Sequence, residues 1–193
     1  MSNKKPRTVY YQRKKSGKTN YRKRLSLLLA KKPRLVIRST NQKIIAQIIN
    51  FTPQGDRVLV GVDSNKLKKY GWGFSLKNLP ATYLTGYLLG KMALTKKVNE
   101  AILDIGFRLP IKGNKSYVCL KGVVDAGLKV AHSKDIFPSE DRIMGKHIEE
   151  YVKKMQNNSP NKKVFSKYLK TNINPLKISE QFQKVKKTIQ EEK

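Results

Sequence analysis

Acidic residues are scarce in this chain and are absent before residue 56. The 193 residues include 13 Asp and Glu against 42 Lys and Arg, which gives a net charge of +29. Fifteen basic residues precede Asp56, the first acid. A segment so one-sided repels itself, and an array of phosphates is the commonest partner that relieves the repulsion by releasing counterions. The imbalance favours nucleic-acid binding.

Cysteine and long apolar runs are also rare. The one cysteine, Cys119, excludes an intramolecular disulfide and fits a reducing compartment. Its apolar neighbours predict a buried small side chain rather than a nucleophile. The longest apolar stretch, residues 79–94, contains Pro80 and Lys91 and is too short to span a bilayer. No apolar segment follows the basic N-terminus as in a signal peptide. We therefore expect a soluble, cytoplasmic protein with no membrane partner.

The charge is concentrated at the two ends of the chain. Residues 1–55 carry +15 and residues 151–193 carry +8, whereas residues 56–150 carry only +6. Apolar periodicity is strongest in that more neutral middle. The pattern predicts a basic RNA-binding arm (residues 1–18), a globular α/β domain (residues 19–156), and a basic linker with a C-terminal helix (residues 157–193). Tyr10, Tyr11 and Tyr21 lie among the N-terminal charges, where their rings can stack on bases.

Local patterns predict the order of the elements. An extended arm over residues 1–18 precedes a helix that Thr19 or Asn20 caps and that runs to about Lys31, with Leu25, Leu28 and Leu29 as its apolar stripe. Three β-rich runs follow and form an antiparallel meander, over residues 34–40, 43–51 and 57–63. A further helix is predicted to start at Pro80 after Asn78 as its cap, and others over residues 115–130, 139–156 and 178–191, with a short strand over residues 101–106. This order predicts an α/β layered structure with a mixed sheet.

Glycine, serine and apolar positions add three expectations to this outline. Gly86 and Gly90 are expected to let the helix that starts at Pro80 pack closely on the sheet. Ser139 is expected to cap the helix that follows it. Ile178, Phe182, Val185 and Ile189 follow helical spacing and form one apolar stripe, which must be buried either on the domain's own core or on a neighbour.

Carboxylates near strand ends are the only residues that suggest catalysis. Asp63, Asp104 and Asp125 could in principle hold metal ions for phosphodiester hydrolysis. They lack a fourth carboxylate at usable spacing, so a structural role is favoured. Two isolated histidines, His132 and His147, do not make a zinc site, and the glycines do not match a phosphate-binding loop. No cofactor or metal is expected. A metal-dependent nuclease remains the alternative function, and a duplex-DNA binder is a third class.

Seven segments, in order along the chain, carry a resemblance to a known family. The segments are YRKRL (residues 21–25), KPRLVIRSTN (32–41), YGW (70–72), NLPATYLTG (78–86), LDIG (103–106), KGVVDAG (121–127) and GKHIEEY (145–151). The chain resembles the universal large-subunit ribosomal protein that binds 5S rRNA, number eighteen of the large-subunit series, in its archaeal form. Residues 157–193 match only loosely.

The resemblance implies a ribonuclease-H-like layered sandwich with a mixed sheet and no catalysis. It implies a single copy per ribosome, which seats 5S rRNA in the central protuberance and also contacts large-subunit rRNA. The expected protein partner is the neighbouring 5S-binding protein, number five of the large subunit. In this family the N-terminal arm and first helix carry much of the 5S contact.

Candidate RNA-binding residues follow from the resemblance, the interleaved tyrosines and the basic linker. The resemblance places 5S contacts on Arg7, Arg13, Lys14, Lys15, Lys18, Tyr21, Arg22 and Arg24, followed by Arg38, Asn41 and Lys43 at the first strand turn. Tyr10 is added as a stacking ring. The Lys-rich linker is expected to pass over large-subunit rRNA, with Lys162 and Lys163 as its candidate contacts.

Overall fold

A five-stranded mixed sheet forms the centre of the molecule. The computed structural model describes residues 9–157, 165, 168 and 173–192. The strands are β1 (Arg34–Ser39), β2 (Ile44–Thr52), β3 (Gly55–Asp63), β4 (Glu100–Asp104) and β5 (Lys129–Val130). Their order across the open sheet is β3-β2-β1-β4-β5. The β1–β2 and β2–β3 pairs are antiparallel, whereas β1–β4 and β4–β5 are parallel. The predicted meander and the α/β class with a mixed sheet are confirmed.

Seven α-helices are described around this sheet. They are α1 (Gln12–Lys15), α2 (Tyr21–Leu29), α3 (Leu79–Thr95), α4 (Lys115–Asp125), α5 (Glu140–Met144), α6 (Lys146–Asn157) and α7 (Ile178–Glu191). Three 3-10 turns lie at Ser64–Tyr70, Lys134–Ile136 and Pro175–Lys177. Helices α3 and α4 pack on one face of the sheet, where Leu35 and Ile37 of β1 join the main core. Helix α2 lies on the opposite side of the sheet, where Leu27 and Val36 line the same groove.

The two central helices approach each other through glycines. A Cβ on Gly86 of α3 would lie 2.1 Å from the Cys119 carbonyl oxygen, and one on Gly122 of α4 would lie 2.2 Å from the Tyr83 carbonyl oxygen. No side chain fits at such distances, so glycine sets the separation of the helices. The prediction that Gly86 and Gly90 permit close packing on the sheet was wrong about the element they pack against, which is helix α4. Both glycines face α4, where Val123 and Ala126 lie against Gly90.

Three predicted elements differ from the observed ones. The arm contains a helical turn, α1, where an extended segment was expected. The helix predicted over residues 115–130 ends at Asp125, and β5 follows to pair with Glu100 and Ala101. The helix predicted over residues 139–156 breaks at Gly145, whose φ of +96° is left-handed and ends α5. Ser139 makes no side-chain capping bond to the residues that the structure describes.

Helix α2 is capped as expected, but two of the three residues of its predicted apolar stripe are exposed. The Asn20 side chain accepts a hydrogen bond from the Lys23 amide at 3.0 Å, and the helix ends at Leu29 rather than Lys31. Of its predicted apolar stripe, Leu25 is 62% exposed and Leu29 is 74% exposed. Leu27 instead lines a groove beside the sheet together with Lys23 and Arg24 of the same helix.

Helix α7 buries its apolar stripe on the domain's own core. Ile178, Phe182, Val185 and Ile189 are all at most 3% exposed. The Phe182 ring lies 5.4 Å, centroid to centroid, from the Tyr83 ring of α3. The prediction of a buried stripe is confirmed, and the chain itself supplies the surface. Most of the linker before α7, including Lys162 and Lys163, lies outside the described residues. In the part of the chain that the structure describes, no helix combines the length and apolarity needed to cross a membrane.

Candidate nucleic-acid interface

A basic groove lies between the arm, helix α2 and the face of β1 that carries Arg34, Val36 and Arg38. We call it the arm-face groove; its volume is about 260 Å³. Its basic lining residues are Arg13, Lys18, Lys23, Arg24, Arg34 and Arg38. Asp56 of β3 and Asp104 of β4 are its two acids. The sheet alternation of β1 places Arg34, Val36 and Arg38 on this face, because every second side chain of a strand points to the same side.

Arginines and aspartates alternate along the floor of the groove. Arg24 binds Asp56 through both guanidinium ends, Nη1 to Oδ2 at 2.8 Å and Nη2 to Oδ1 at 2.7 Å. Arg34 joins the two acids, donating from Nη2 to Asp56 at 2.8 Å and from Nη1 to Asp104 at 3.0 Å. Arg38 completes the series, donating from Nη2 to Asp104 Oδ1 at 3.0 Å. Helix α2, β3, β1 and β4 are thereby tied together at one surface.

Burial and charge act in opposite directions on Asp104. Burial alone would raise the pKa of this carboxyl group, since its charged form loses water. The charge of Arg38, the Gly106 amide and Arg34 outweigh that effect and hold its pKa below the usual range. The Asp56 pKa is also lowered, chiefly by the hydrogen bond from Arg24. Both carboxylates are therefore ionised at neutral pH and offset part of the positive charge.

The predicted basic residues divide into anchored and outward-facing groups. Arg24 is anchored by Asp56, with its side chain 26% exposed. Arg38 is anchored by Asp104 and by backbone carbonyls but keeps its side chain 43% exposed. Lys43 donates to Asp63 at 2.7 Å. Lys15 and Arg22 are exposed, so their side chains are directed to solvent and are accessible to a ligand.

The described part of the arm folds back on itself. Arg13 donates from Nε to the Thr19 hydroxyl at 2.9 Å. The Lys14 ammonium lies 3.9 Å from the centre of the Tyr10 ring, and the Tyr11 and Tyr21 rings are 5.2 Å apart. Tyr10 and Tyr11 remain 62% and 72% exposed. The arm thus presents flat aromatic surface beside clustered cations, as base stacking requires.

Not all predicted residues meet in this groove. Asn41 lies in the exposed β1–β2 turn and lines a different cleft, on the other side of the loop that follows β4. Arg7, Lys162 and Lys163 fall outside the described residues. The interface predicted from the sequence is therefore partly assembled: Arg13, Lys18, Arg24 and Arg38 line one groove, while Tyr10 lies in the arm and Tyr21 begins α2.

Three contributors to the groove were missed from the sequence. Lys23 donates from Nζ to the Gly106 carbonyl at 3.3 Å and joins α2 to the loop after β4. Phe107 in that loop lines the groove and is 56% exposed. Arg34 was assigned only to a strand, although its i, i+4 spacing from Arg38 puts both on one face of that strand. The alternation of side chains along β1 could have identified Arg34 from the sequence, whereas no sequence pattern pointed to the loop at Gly106.

The carboxylates of the nuclease hypothesis are bound by basic side chains. Asp63 accepts from Lys43, which lowers the pKa of that carboxyl group, and Asp104 accepts from Arg34 and Arg38. Asp125 forms a salt bridge with Lys121 at 3.0 Å and also accepts from the Tyr83 hydroxyl at 2.8 Å. Among the described residues, no group of three or more potential metal ligands comes together. Cys119 is fully buried, and its burial raises the pKa of the thiol to about 12, as expected of a core side chain.

Comparisons with known proteins agree on one family. Residues 6–101 match the family model described as "Ribosomal large subunit proteins 60S L5, and 50S L18". The chain is 48% identical to large ribosomal subunit protein uL18 of Korarchaeum cryptofilum, over 92% of the chain and 91% of the relative. The uL18 proteins of Methanothermobacter thermautotrophicus and Thermofilum pendens are 46% and 43% identical, over 94% and 95% of the chain and 94% of each relative. The chain therefore belongs to the archaeal uL18 family and is a structural protein of the large ribosomal subunit in the cytoplasm.

Proposed function

We propose that the protein binds 5S rRNA through the arm-face groove and helps to seat it in the central protuberance. The main support for the proposal is the groove itself, in which six basic side chains of the arm, α2 and β1 converge. Large-subunit rRNA is its second RNA partner, and the neighbouring 5S-binding protein, number five of the large subunit, is its protein partner.

The outward-facing and the anchored basic residues have different roles in RNA binding. Lys18 in the groove, together with the exposed side chains of Lys14 and Lys15 in the arm and Arg22 in α2, binds phosphates directly. The anchored residues Arg24 and Arg38 keep α2 and β1 in fixed positions, so that less side-chain freedom is lost when RNA binds. Arg38 also offers its exposed edge to the ligand. Tyr10 and Tyr21 supply the stacking and packing surface that favours unpaired bases or ribose over duplex DNA.

The three segments of the chain have different roles in this proposal. Residues 1–18 serve as the RNA-binding arm, in which Arg7 and Arg13 add phosphate contacts. Residues 19–156 form the globular domain that carries the groove, with Asn41 and Lys43 at its first strand turn. Residues 157–193 contribute a linker whose Lys162 and Lys163 follow large-subunit rRNA, and the helix α7 that returns to the core.

A titration against 5S rRNA over a range of salt concentrations tests this function. Each phosphate contact contributes a slope of about −0.7 to −0.9 in a plot of log affinity against log salt. Deleting residues 1–18 removes seven basic residues, so the slope should become shallower by several units. Duplex DNA of equal length, titrated at the same salt, serves as the competitor. An unchanged slope, or equal affinity for the duplex DNA, would contradict the proposal.

A further inference from the structure

A second basic cleft lies on the other side of the loop that follows β4. We call it the α3–α4 cleft, because the first residues of both helices line it. Its volume is about 800 Å³, and it shares no lining residue with the arm-face groove. The loop separates the two sites: Gly106 and Phe107 face the groove, whereas Arg108, Leu109 and Ile111 face the cleft.

The charge of this cleft is not balanced from within. Lys77, Arg108, Lys115 and Arg142 line it together with His147, and its lining includes no carboxylate. Arg108 donates to the Ser39 carbonyl at 2.7 Å. Lys77, Lys115 and Arg142 form no salt bridge with any residue that the structure describes. The arm-face groove differs in this respect, because Asp56 and Asp104 lie among its cations.

The cations of the cleft act on one another. Burial lowers the pKa of Lys115, and the charges of Lys77 and Arg108 lower it further. Burial and then the charge of Arg142 lower the pKa of His147, and the charge of Glu150 opposes them more weakly. Like charges held this close repel each other, and an anion placed between them would relieve that repulsion. The partial positive charge at the first turns of α3 and α4 adds to the same field.

The neutral groups of the cleft fit ribose as well as phosphate. Ser39, Thr40 and Asn41 of the β1–β2 turn line it beside the cations, and Asn41 is exposed. Amide and hydroxyl groups of this kind can donate to and accept from the ribose 2′-hydroxyl, which distinguishes RNA from other polyanions. Leu109 and Ile111, which are 70% and 62% exposed, form an apolar rim against which sugar and base faces can pack.

We infer that the α3–α4 cleft binds the phosphodiester backbone of large-subunit rRNA. The inference rests on the proposed function, which assigns the arm-face groove to 5S rRNA and so leaves the cleft beyond the loop to the second RNA. The protein then holds the two RNAs on opposite sides of one loop. Asn41 is a contact to large-subunit rRNA in this arrangement, rather than part of the 5S surface.

Two charge-matched variants of the full chain test the inference. The cleft variant combines Lys77→Ala, Lys115→Ala and Arg142→Ala. The control variant combines Lys153→Ala, Lys184→Ala and Lys187→Ala, which lie on exposed parts of α6 and α7. Both remove three positive charges, so a general loss of electrostatic attraction affects them equally. Arg108 is left in place because it holds the Ser39 carbonyl. Thermal unfolding should give the same midpoint for both variants and the wild type.

The binding measurement separates the two RNAs. Each variant is first titrated with 5S rRNA alone, and its preformed complex with 5S rRNA is then titrated with deproteinised large-subunit rRNA. We expect the cleft variant to keep 5S affinity within about twofold, to bind large-subunit rRNA at least about tenfold more weakly, and to show a salt slope shallower by about 2. The control variant should match the wild type in both titrations.

Several outcomes would overturn the inference. Unchanged affinity of the cleft variant for large-subunit rRNA would show that the cleft does not bind this RNA, and would favour an acidic protein as its partner. If the control variant weakened binding equally, the loss would come from the lower net charge and not from the cleft. If the cleft variant lost affinity only for 5S rRNA, the cleft would be part of the 5S-binding surface. Failure of the wild-type complex to bind large-subunit rRNA would also count against it. Failure of the wild type to bind 5S rRNA in the first titration would instead refute the proposed function.

Discussion

Asp104 lies directly opposite Val36 in the parallel β1–β4 pair and so falls between Arg34 and Arg38. The two arginines flank Val36 on the same face of β1, and one oxygen of the carboxylate accepts from each at 3.0 Å. A shift of the register by one residue would turn Asp104 to the other face of the sheet. The register between β1 and β4 therefore helps to determine where the partly exposed Arg38 side chain lies.

We expect Asp104→Asn to destabilise the fold. The substitution leaves Arg34 as a buried charge, with its side chain 4% exposed and only Asp56 as its counter-ion. Loss of one partner of a buried ion pair lowers the free energy of unfolding by about 3 kcal/mol. Urea denaturation measures the effect, with Asp135→Asn on the exposed surface as the control that should change it by less than about 0.5 kcal/mol. Equal midpoints for the two variants would contradict a stabilising role for the network.

Stability should also depend on pH in the acid range. The pKa values of Asp56 and Asp104 are lower in the folded protein than the ordinary value. Groups of this kind stabilise the fold fully above their unfolded pKa of about 3.9 and lose that contribution as the pH falls through the folded pKa. The free energy of unfolding should thus be level near neutral pH and fall below about pH 4.

A double variant tests whether these two carboxylates cause the loss of stability at acid pH. The double variant Asp56→Asn, Asp104→Asn should be less stable near neutral pH and should show a smaller decline on acidification than the wild type. Denaturation curves recorded from about pH 7 to pH 3 make the comparison. If the double variant declined in parallel with the wild type, other acids would be responsible.

Glycine is required where helices α3 and α4 cross. In Gly122→Ala the new methyl group would lie 2.2 Å from the Tyr83 carbonyl oxygen, so the helices must separate. We expect the free energy of unfolding to fall by about 3 kcal/mol, as for overpacked cores. Gly61→Ala is the matched control, because its Cβ meets nothing closer than 3.6 Å and should change stability by less than about 1 kcal/mol. Thermal unfolding that ranks the two variants equally would refute the close approach.

Arg22 and Arg24 should respond differently to the same substitution. Arg22 is exposed, so Arg22→Lys should lower 5S affinity by about fivefold while leaving the unfolding midpoint unchanged, since Lys cannot donate a two-pronged hydrogen bond to phosphate. Arg24 uses that geometry on Asp56, so Arg24→Lys should lower stability by about 1 kcal/mol. Parallel titration and melting of both variants separate the roles. Equal RNA affinity for Arg22→Lys would reduce Arg22 to a general charge.

Local signals in the sequence were enough to predict most elements. The β-rich runs and the turn residues between them predicted the three-strand meander, and Thr19 or Asn20 as a cap predicted where α2 begins. The apolar spacing of α7 predicted all four of its buried residues. These features depend on neighbours within a turn or a strand, so the chain specifies them without knowledge of the rest of the fold.

The sequence by itself determined the composition of the site but not its assembly. The excess of basic residues and the tyrosines among them followed from the printed residues alone. The ion pair between Arg34 and Asp104 joins positions 70 residues apart, and only strand pairing brings them together. Strand β5 has two residues, too few for any periodicity, and exists because β4 offers it an edge. Long-range register and packing decide such features, because their energies depend on partners that no local pattern identifies.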